Sequence, residues 1–483
     1  MITEHQVRLL HFDRSGVKYS PFINIHRDPF TFVRLILGLS SPKEEVLGLD
    51  TNVQWKIERG RKVSGTIKMV DSNQESVTFD LIDVHPVFHR AALRGRGTTC
   101  WHARDRDGNP LDAVLIKDAW RGEDRVSEHA MLEKVKGVNG VAQMLHYCDN
   151  LAQTKDFRGR QVPEQPNFFN RVWLRVVLKQ YGRSLKHFTS QRQAIGALRD
   201  TLAAHSRLLE HKSVLHRDIS MQNLLLGLPD ALPGLRGILV DFDMAVQAEG
   251  RDVSDISVDC RTGTRMYQSM SVLWSYEPES NATAHDYLDD IESFFLVLAH
   301  LMFGWSGIEQ EIKPKPVSLL DWDNDVPRIA RVAKELFLLK DLDMTAIASF
   351  WSDPCRDLLE SFHAFLKGIS AVKEKMRKAS NPNSRLKRLQ KLHAKRQAHY
   401  DTVKAMFDKA LDEIERYGEK PSTRGSGDSD SEDDLSSPTP PARISKRGSD
   451  DVEETPSKRN RTSEYNGTHL SQAVDEDNET LDD

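Results

Sequence analysis

The chain has 483 residues, with 67 Lys and Arg against 72 Asp and Glu, a formal net charge of −5. From Tyr417 onward there are 8 basic and 17 acidic residues, so the last 67 residues carry −9 and the preceding body is weakly basic. That stretch has no Phe, Trp, Met or Cys, which excludes a packed tail and confines any core to residues 1–416.

Val53 to Ile57, Gly65 to Val70, Ser76 to Ile82 and Ala113 to Ile116 alternate or are rich in β-formers, and turn residues such as Asp71-Ser72-Asn73 and Asp107-Gly108-Asn109-Pro110 separate them. They predict an antiparallel sheet. Helical spacing follows over Arg125 to Lys136, then a strand at Val172 to Leu178 and a helix over Ser190 to Glu210. Leu224 to Leu226 and Gly237 to Val240 predict a hairpin joined by the turn Pro229 to Arg236. Between 356 and 416, Leu359, Phe362, Leu366 and Ile369, and later Leu386, Leu389 and Leu392, recur at helical spacing, and Ser380 to Asn383 divides the stretch into two helices. Lys373 to Arg396 holds 10 basic residues and one acid, read as a solvated helix face whose +9 is equal and opposite to the tail. Residues 418–483 cannot bury enough apolar surface to offset the entropy of ordering them, so they are expected to be disordered. A β-rich first part and a helical second part make this an α+β protein in two lobes.

Cys100, Cys148, Cys260 and Cys355 have no metal-ligand spacing, which argues against a disulfide framework or zinc module and for a reducing compartment. Met1 to Leu10 is polar and does not read as a signal peptide. The longest apolar run, Phe294 to Trp305, contains His300 and falls short of the about 20 residues that cross a bilayer. The expectation is a soluble intracellular protein, in cytoplasm or nucleus, without a membrane partner.

The chemistry lies near the middle, in VLHRDISMQNLLL (214–226) and ILVDFDMA (238–245). His216-Arg217-Asp218, with Asn223 five positions after the Asp, matches a protein-kinase catalytic loop, and Asp241-Phe242 at a strand end matches the metal-binding triplet. The chain resembles protein kinases, and more closely the fungal-type protein kinase family, whose members carry HRDIS in the catalytic loop and DFD in place of DFG. The resemblance runs from about residue 10 to about residue 370, through GRGTTCW (95–101) and HDYLDDIESFFLVL (285–298). It implies a two-lobed kinase fold. Residues 1–90 would be an extension whose strands join the N-lobe, 91–178 the N-lobe, 179–370 the C-lobe, 371–417 a basic helical extension, and 418–483 the acidic Ser/Pro-rich tail.

The same resemblance assigns roles. Phosphoryl transfer needs positioned reactants and neutralised phosphate charge. Asp218 would stand at the acceptor hydroxyl, and Asn223 and Asp241 would hold Mg2+ through hard oxygen ligands. Lys117 would meet the ATP phosphates, held by Glu128, with Glu133 a competitor for that place; Glu128 is preferred because its spacing to Leu132 matches the family pattern. Gly95 and Gly97 stand where a glycine-rich phosphate loop belongs, although only two of the usual three glycines are present. Leu178 to Gly182 would be the hinge that receives adenine. Thr262 to Ser269 resembles the end of an activation segment, with Thr264 hydrogen-bonding near Asp218. Ser254, Ser257 and Thr262 are candidate phosphosites for Arg217, and Asp290 would brace the catalytic loop.

Two positions depart from the general kinase pattern. Ser220 stands where Ser/Thr kinases usually carry a lysine on the migrating phosphate, so either another cation substitutes or the enzyme is slow. Asp243 replaces the glycine after Asp241-Phe242, adding a carboxylate near the metal and restricting the backbone. The expected function is ATP- and Mg2+-dependent transfer to Ser/Thr of a protein substrate. The alternatives are a small-molecule phosphotransferase, favoured by Ser220, and a pseudokinase scaffold. A nucleic-acid partner ranks last, because the basic run lacks aromatic residues for stacking. In the tail, Lys446-Arg447 and Lys458, Arg459 and Arg461 have bipartite nuclear-localisation spacing, which would engage a nuclear import receptor.

Overall fold

A computed structural model describes residues 1–71, 74–106, 113–158, 168–248, 263–277, 284–379 and 381–421. Ser254, Ser257, Thr262, Cys260, the Asp107 to Pro110 turn, the tail's expected disorder and the basic clusters from Lys446 to Arg461 lie outside the described residues.

The N-terminal part is built on one antiparallel sheet. A separate hairpin comes first, β1 (Leu10–Asp13) with β2 (Gly16–Tyr19). The sheet follows with β3 (Val53–Glu58), β4 (Arg61–Val70), β5 (Ser76–Leu81), β6 (Phe88–His89), β7 (Thr99–Asp105), β8 (Ala113–Gly122), β9 (Met144–Cys148) and β10 (Arg171–Lys179). Its spatial order is β9-β10-β8-β7-β5-β4-β3, with β6 paired to β7. Alternation decides its faces. Ile67, Met69, Val77, Phe79, Leu81, Ala103, Val114 and Ile116 point into one apolar cluster. Successive side chains on β8 point to opposite faces, so Lys117, next to Ile116, faces the other way. The expected strand at Ala113 to Ile116 is therefore longer, since all of Val114 to Gly122 pairs with β10.

The C-terminal part is helical apart from short hairpins. Two helices belong to the N-terminal part, α1 (Pro29–Leu39), which precedes the sheet in the chain, and α2 (Glu128–Lys134), between β8 and β9; the C-terminal part supplies α3 (Gln191–Lys212), α4 (Met270–Trp274), α5 (Tyr287–Gly304), α6 (Pro327–Leu339), α7 (Asp353–Arg377), α8 (Pro382–His393) and α9 (Arg396–Tyr417). Ser190 caps α3 by accepting from Gln193 N at 3.0 Å. Asp286 and Asp289 cap α5 reciprocally, which fixes where that buried helix begins. The main core is formed by α3, α5, α7 and α9, joined by α2 and one face of β10.

The region after 353 differs from the expectation of two helices. Three form, because the chain turns again at Ala394 and Lys395. That turn lets α9 fold back and lay Tyr400, Val403, Phe407, Leu411 and Ile414 into the main core. The boundary drawn at 371 falls inside α7. The basic run is likewise divided: Lys373 is half-buried, with Nζ 2.8 Å from Asp289 Oδ1 and 3.2 Å from Asp286 Oδ1, while Lys387, Arg388 and Lys395 stay exposed. Among the described residues no helix is long and apolar enough to cross a membrane.

Candidate active site

Four segments far apart in sequence converge beside the inward face of β8. Lys117 leaves the middle of that strand, with Nζ 2.8 Å from both carboxylate oxygens of Glu128 on α2. The same ammonium lies 2.8 Å from Asp241 Oδ1 and 3.7 Å from Asp243 Oδ2. Glu133, the competitor, is exposed and pairs with Lys136 instead. Helical geometry explains the difference: five positions separate the two glutamates, so they cannot share one face.

Asp241 follows the hairpin β11 (Leu224–Leu226) with β12 (Gly237–Leu239), which pairs Leu224 with Leu239. Val240 N donates to Asn223 O at 3.0 Å, so Asn223 and Asp241 flank the same hairpin end. Asp241 adopts φ +67, a left-handed conformation that L residues rarely occupy. Its neighbour Phe242 is buried, and Phe242 N donates to Glu128 Oε1 at 3.3 Å. The Asn223 amide nitrogen donates to Asp218 O at 2.8 Å, which leaves Oδ1 as that side chain's acceptor.

Asp218 is held from the other side. Its Oδ1 accepts from Thr264 N at 2.8 Å and from Thr264 Oγ1 at 2.9 Å. Gly263 makes that approach possible: it has φ +95, and a Cβ there would sit 3.0 Å from Arg217 O. Arg217 N donates to Asp290 Oδ2 at 3.1 Å. Asp290 in turn bonds His205 Nε2 and His285 Nε2, each at 2.7 Å, and His205 Nδ1 meets the Tyr400 hydroxyl at 2.7 Å. This chain ties α9 to the loop bearing Asp218. Nothing in the HRD motif points to Tyr400, so sequence reading missed it.

Gly95 and Gly97 both have positive φ and flank Arg96, whose Nη1 donates to Asp243 Oδ2 at 2.9 Å. The outer side of this loop is covered by the tip of the β1–β2 hairpin. Gly95 N donates to Arg14 O at 3.0 Å, and the Arg14 guanidinium donates to Ala92 O at 2.8 Å and occupies the space that a Cβ on Gly97 would need. The tip is itself anchored by Arg158 on Asp13 at 2.6 Å and by Ser15 Oγ donating to Phe169 O at 2.6 Å. In the expected hinge, Gly182 N donates to Leu226 O at 3.1 Å, and a Cβ on Gly182 would fall 2.6 Å from that oxygen.

Burial and charge set the protonation states. For Lys117, burial opposes the charge, and Asp241, Asp243 and Glu128 outweigh it, so the pKa lies well above the ordinary lysine value. For Asp241, burial raises the pKa, but Lys117 and Arg96 pull it below the usual carboxylate range. Three carboxylates share one lysine, and Glu128, the most enclosed, is pushed up to about 8 by burial and by Asp243 and Asp241. One oxygen from each of Glu128, Asp241 and Asp243 lies within 4.8 Å of the others, a donor set of the hard type that divalent Mg2+ prefers. Asp243, expected from the sequence to add a carboxylate near the metal, thus lies beside Asp241, with Glu128 as the third member of the cluster.

No curated protein matches the chain. The family model for fungal protein kinases matches residues 1–158 and 150–302, more than half of the sequence, and takes in the glycine pair, Lys117, Glu128, Asp218, Asn223 and Asp241. The chain belongs to the fungal protein kinase family.

Proposed function

We propose that this kinase uses ATP and Mg2+ to phosphorylate Ser or Thr hydroxyls of proteins, through a cleft between the sheet and the helical part arranged as in protein kinases. The observation that carries the reading is the Lys117 ammonium, 2.8 Å from both Glu128 and Asp241 although the three come from separate segments. Such a lysine cradles nucleotide phosphates when a metal takes over the aspartate. Asn223 and Asp241 would hold Mg2+, with Asp243 beside them. The metal would neutralise charge building on the phosphates. Asp218 would accept the proton of the attacking hydroxyl, and its tie to Thr264 favours an extended peptide segment as acceptor. Gly95 and Gly97 would let the backbone approach the phosphates.

Ser220 favours a second reading, a small-molecule phosphotransferase of the same fold. Transfer of labelled γ-phosphate from ATP to protein and metabolite pools, for wild type and Asp218→Ala, separates the readings. Asp218→Ala is expected to lower transfer to protein by on the order of 10³-fold. Asp218-dependent labelling of metabolites alone would select the small-molecule enzyme, and no Asp218-dependent labelling would leave a scaffold.

A further inference from the structure

The cleft holds a cation to which the kinase reading assigns no role. Catalysis of phosphoryl transfer needs positive charge on the oxygens of the migrating group. The catalytic loop supplies none at position 220, where buried Ser220 only accepts from Asn223 N at 3.3 Å. Arg96 enters from the opposite side of the cleft. It stands between two glycines of positive φ, its carbonyl is fixed by Trp120 N at 2.8 Å, and Arg14 covers the outer side of its loop.

The side chain of Arg96 reaches 2.9 Å from Asp243, the residue that replaces the usual glycine. The two departures from the kinase pattern are thus complementary. One removes a cation from the catalytic loop, and the other adds an anion that receives a cation from the glycine loop. Resting on the kinase reading above, we propose that Arg96 contacts the migrating phosphoryl group in place of the lysine lacking at Ser220, and that Asp243 holds it ready beside the site.

Charge balance supports this. The carboxylates of Asp241 and Asp243 face two cations, Lys117 and Arg96. Asp241 and Asp243 would hold a divalent ion through the same carboxylate that Arg96 now pairs with, which would leave the guanidinium available to phosphate oxygens, a geometry its planar fork suits. Burial disfavours charge on Arg96, but Asp241, Asp243 and Asp218 more than offset that, so it stays protonated. In the step itself the acceptor oxygen bonds to the γ-phosphorus, and the bond to the β–γ bridging oxygen breaks. That electron pair leaves with ADP, and the hydroxyl proton passes to Asp218. Arg96 donates hydrogen bonds to the non-bridging oxygens and is not consumed.

The test compares wild type, Arg96→Ala and Arg96→Ala with Ser220→Lys. Labelled phosphate transfer is one readout, and binding of ADP alone against ADP with aluminium fluoride is the other. Arg96→Ala is expected to lower transfer about 10²- to 10³-fold. Its ADP affinity should stay within about three-fold, which also reports a folded site, while the tightening produced by aluminium fluoride disappears. Ser220→Lys in that background should recover at least about ten-fold of the lost transfer. Arg96→Ala that transfers as fast as wild type or faster, or that keeps the aluminium fluoride tightening, overturns the proposal and leaves the kinase reading standing. Absence of Asp218-dependent transfer in wild type overturns the kinase reading itself.

Discussion

Residue identity near the glycine loop is decided by space and by charge. Arg14 lies outside the segment that resembles a nucleotide loop, yet its backbone and side chain hold that loop at Gly95, Ala92 and Leu93. Arg14→Ala should weaken nucleotide binding by about 1 kcal/mol, roughly five-fold, in titration with a labelled ATP analogue, with little change in melting temperature. Unchanged affinity would mean that the hairpin only decorates the loop. The sequence marks residues 1–90 as an extension joining the N-lobe but does not show that Arg14 holds the glycine loop, because its partners Ala92 and Leu93 lie 78 and 79 positions away. The Lys117 and Glu128 pair was legible, since strand end and helix start carry local signals. The tie between Arg96 and Asp243 was not, because only folding brings residues 147 positions apart to 2.9 Å.

Among the elements, strands were read well wherever alternation was strong, as in β4 and β5. Helix α9 shows where local reading stops. Its residues fall within the second helix expected between 356 and 416, but neither that expectation nor the basic run before them tells which surface it covers. The structure lays it along α3 and α7, with Arg199 bridging to Asp408 at 2.7 and 3.1 Å and the Phe362 and Phe407 rings 6.0 Å apart. Burying an apolar side chain contributes about 1.5–3 kcal/mol. Removing Tyr400, Val403, Phe407, Leu411 and Ile414 together would therefore cost on the order of a whole domain's stability, about 5–15 kcal/mol. A chain ending at residue 395 should fail to give a cooperative thermal transition, whereas one ending at residue 421 should melt with the full-length protein. A cooperative transition near the full-length temperature for the shorter chain would refute this account of α9.

At the scale of the molecule, charge is organised by burial more than by composition. The near-neutral total conceals a helical core that encloses ionised groups, among them Asp290 between two histidines and Lys373 between two aspartates. His300 is a simpler case: burial, aided by Lys315, lowers its pKa from 6.5 to about 4. An unfolded histidine takes up a proton near pH 6.5 and this one resists until about 4, so the unfolded state binds more protons in that window. Stability therefore falls as pH drops from 6.5 to 4. His300→Gln, which keeps an acceptor for the Tyr267 hydroxyl at 2.8 Å, should remove about 3 kcal/mol of that fall. Denaturant midpoints across the window measure it, and parallel curves for both proteins would exclude His300 as the source.

The sequence alone determined the α+β class, the family, and the candidate residues of the cleft, because alternation, helical spacing and short motifs are local properties of the chain. Tertiary structure alone decided what Asp243 pairs with, that Arg14 holds the glycine loop, and that α9 completes the core. Each of these is a contact between segments distant in sequence, settled by the packing of faces and the pairing of buried charges.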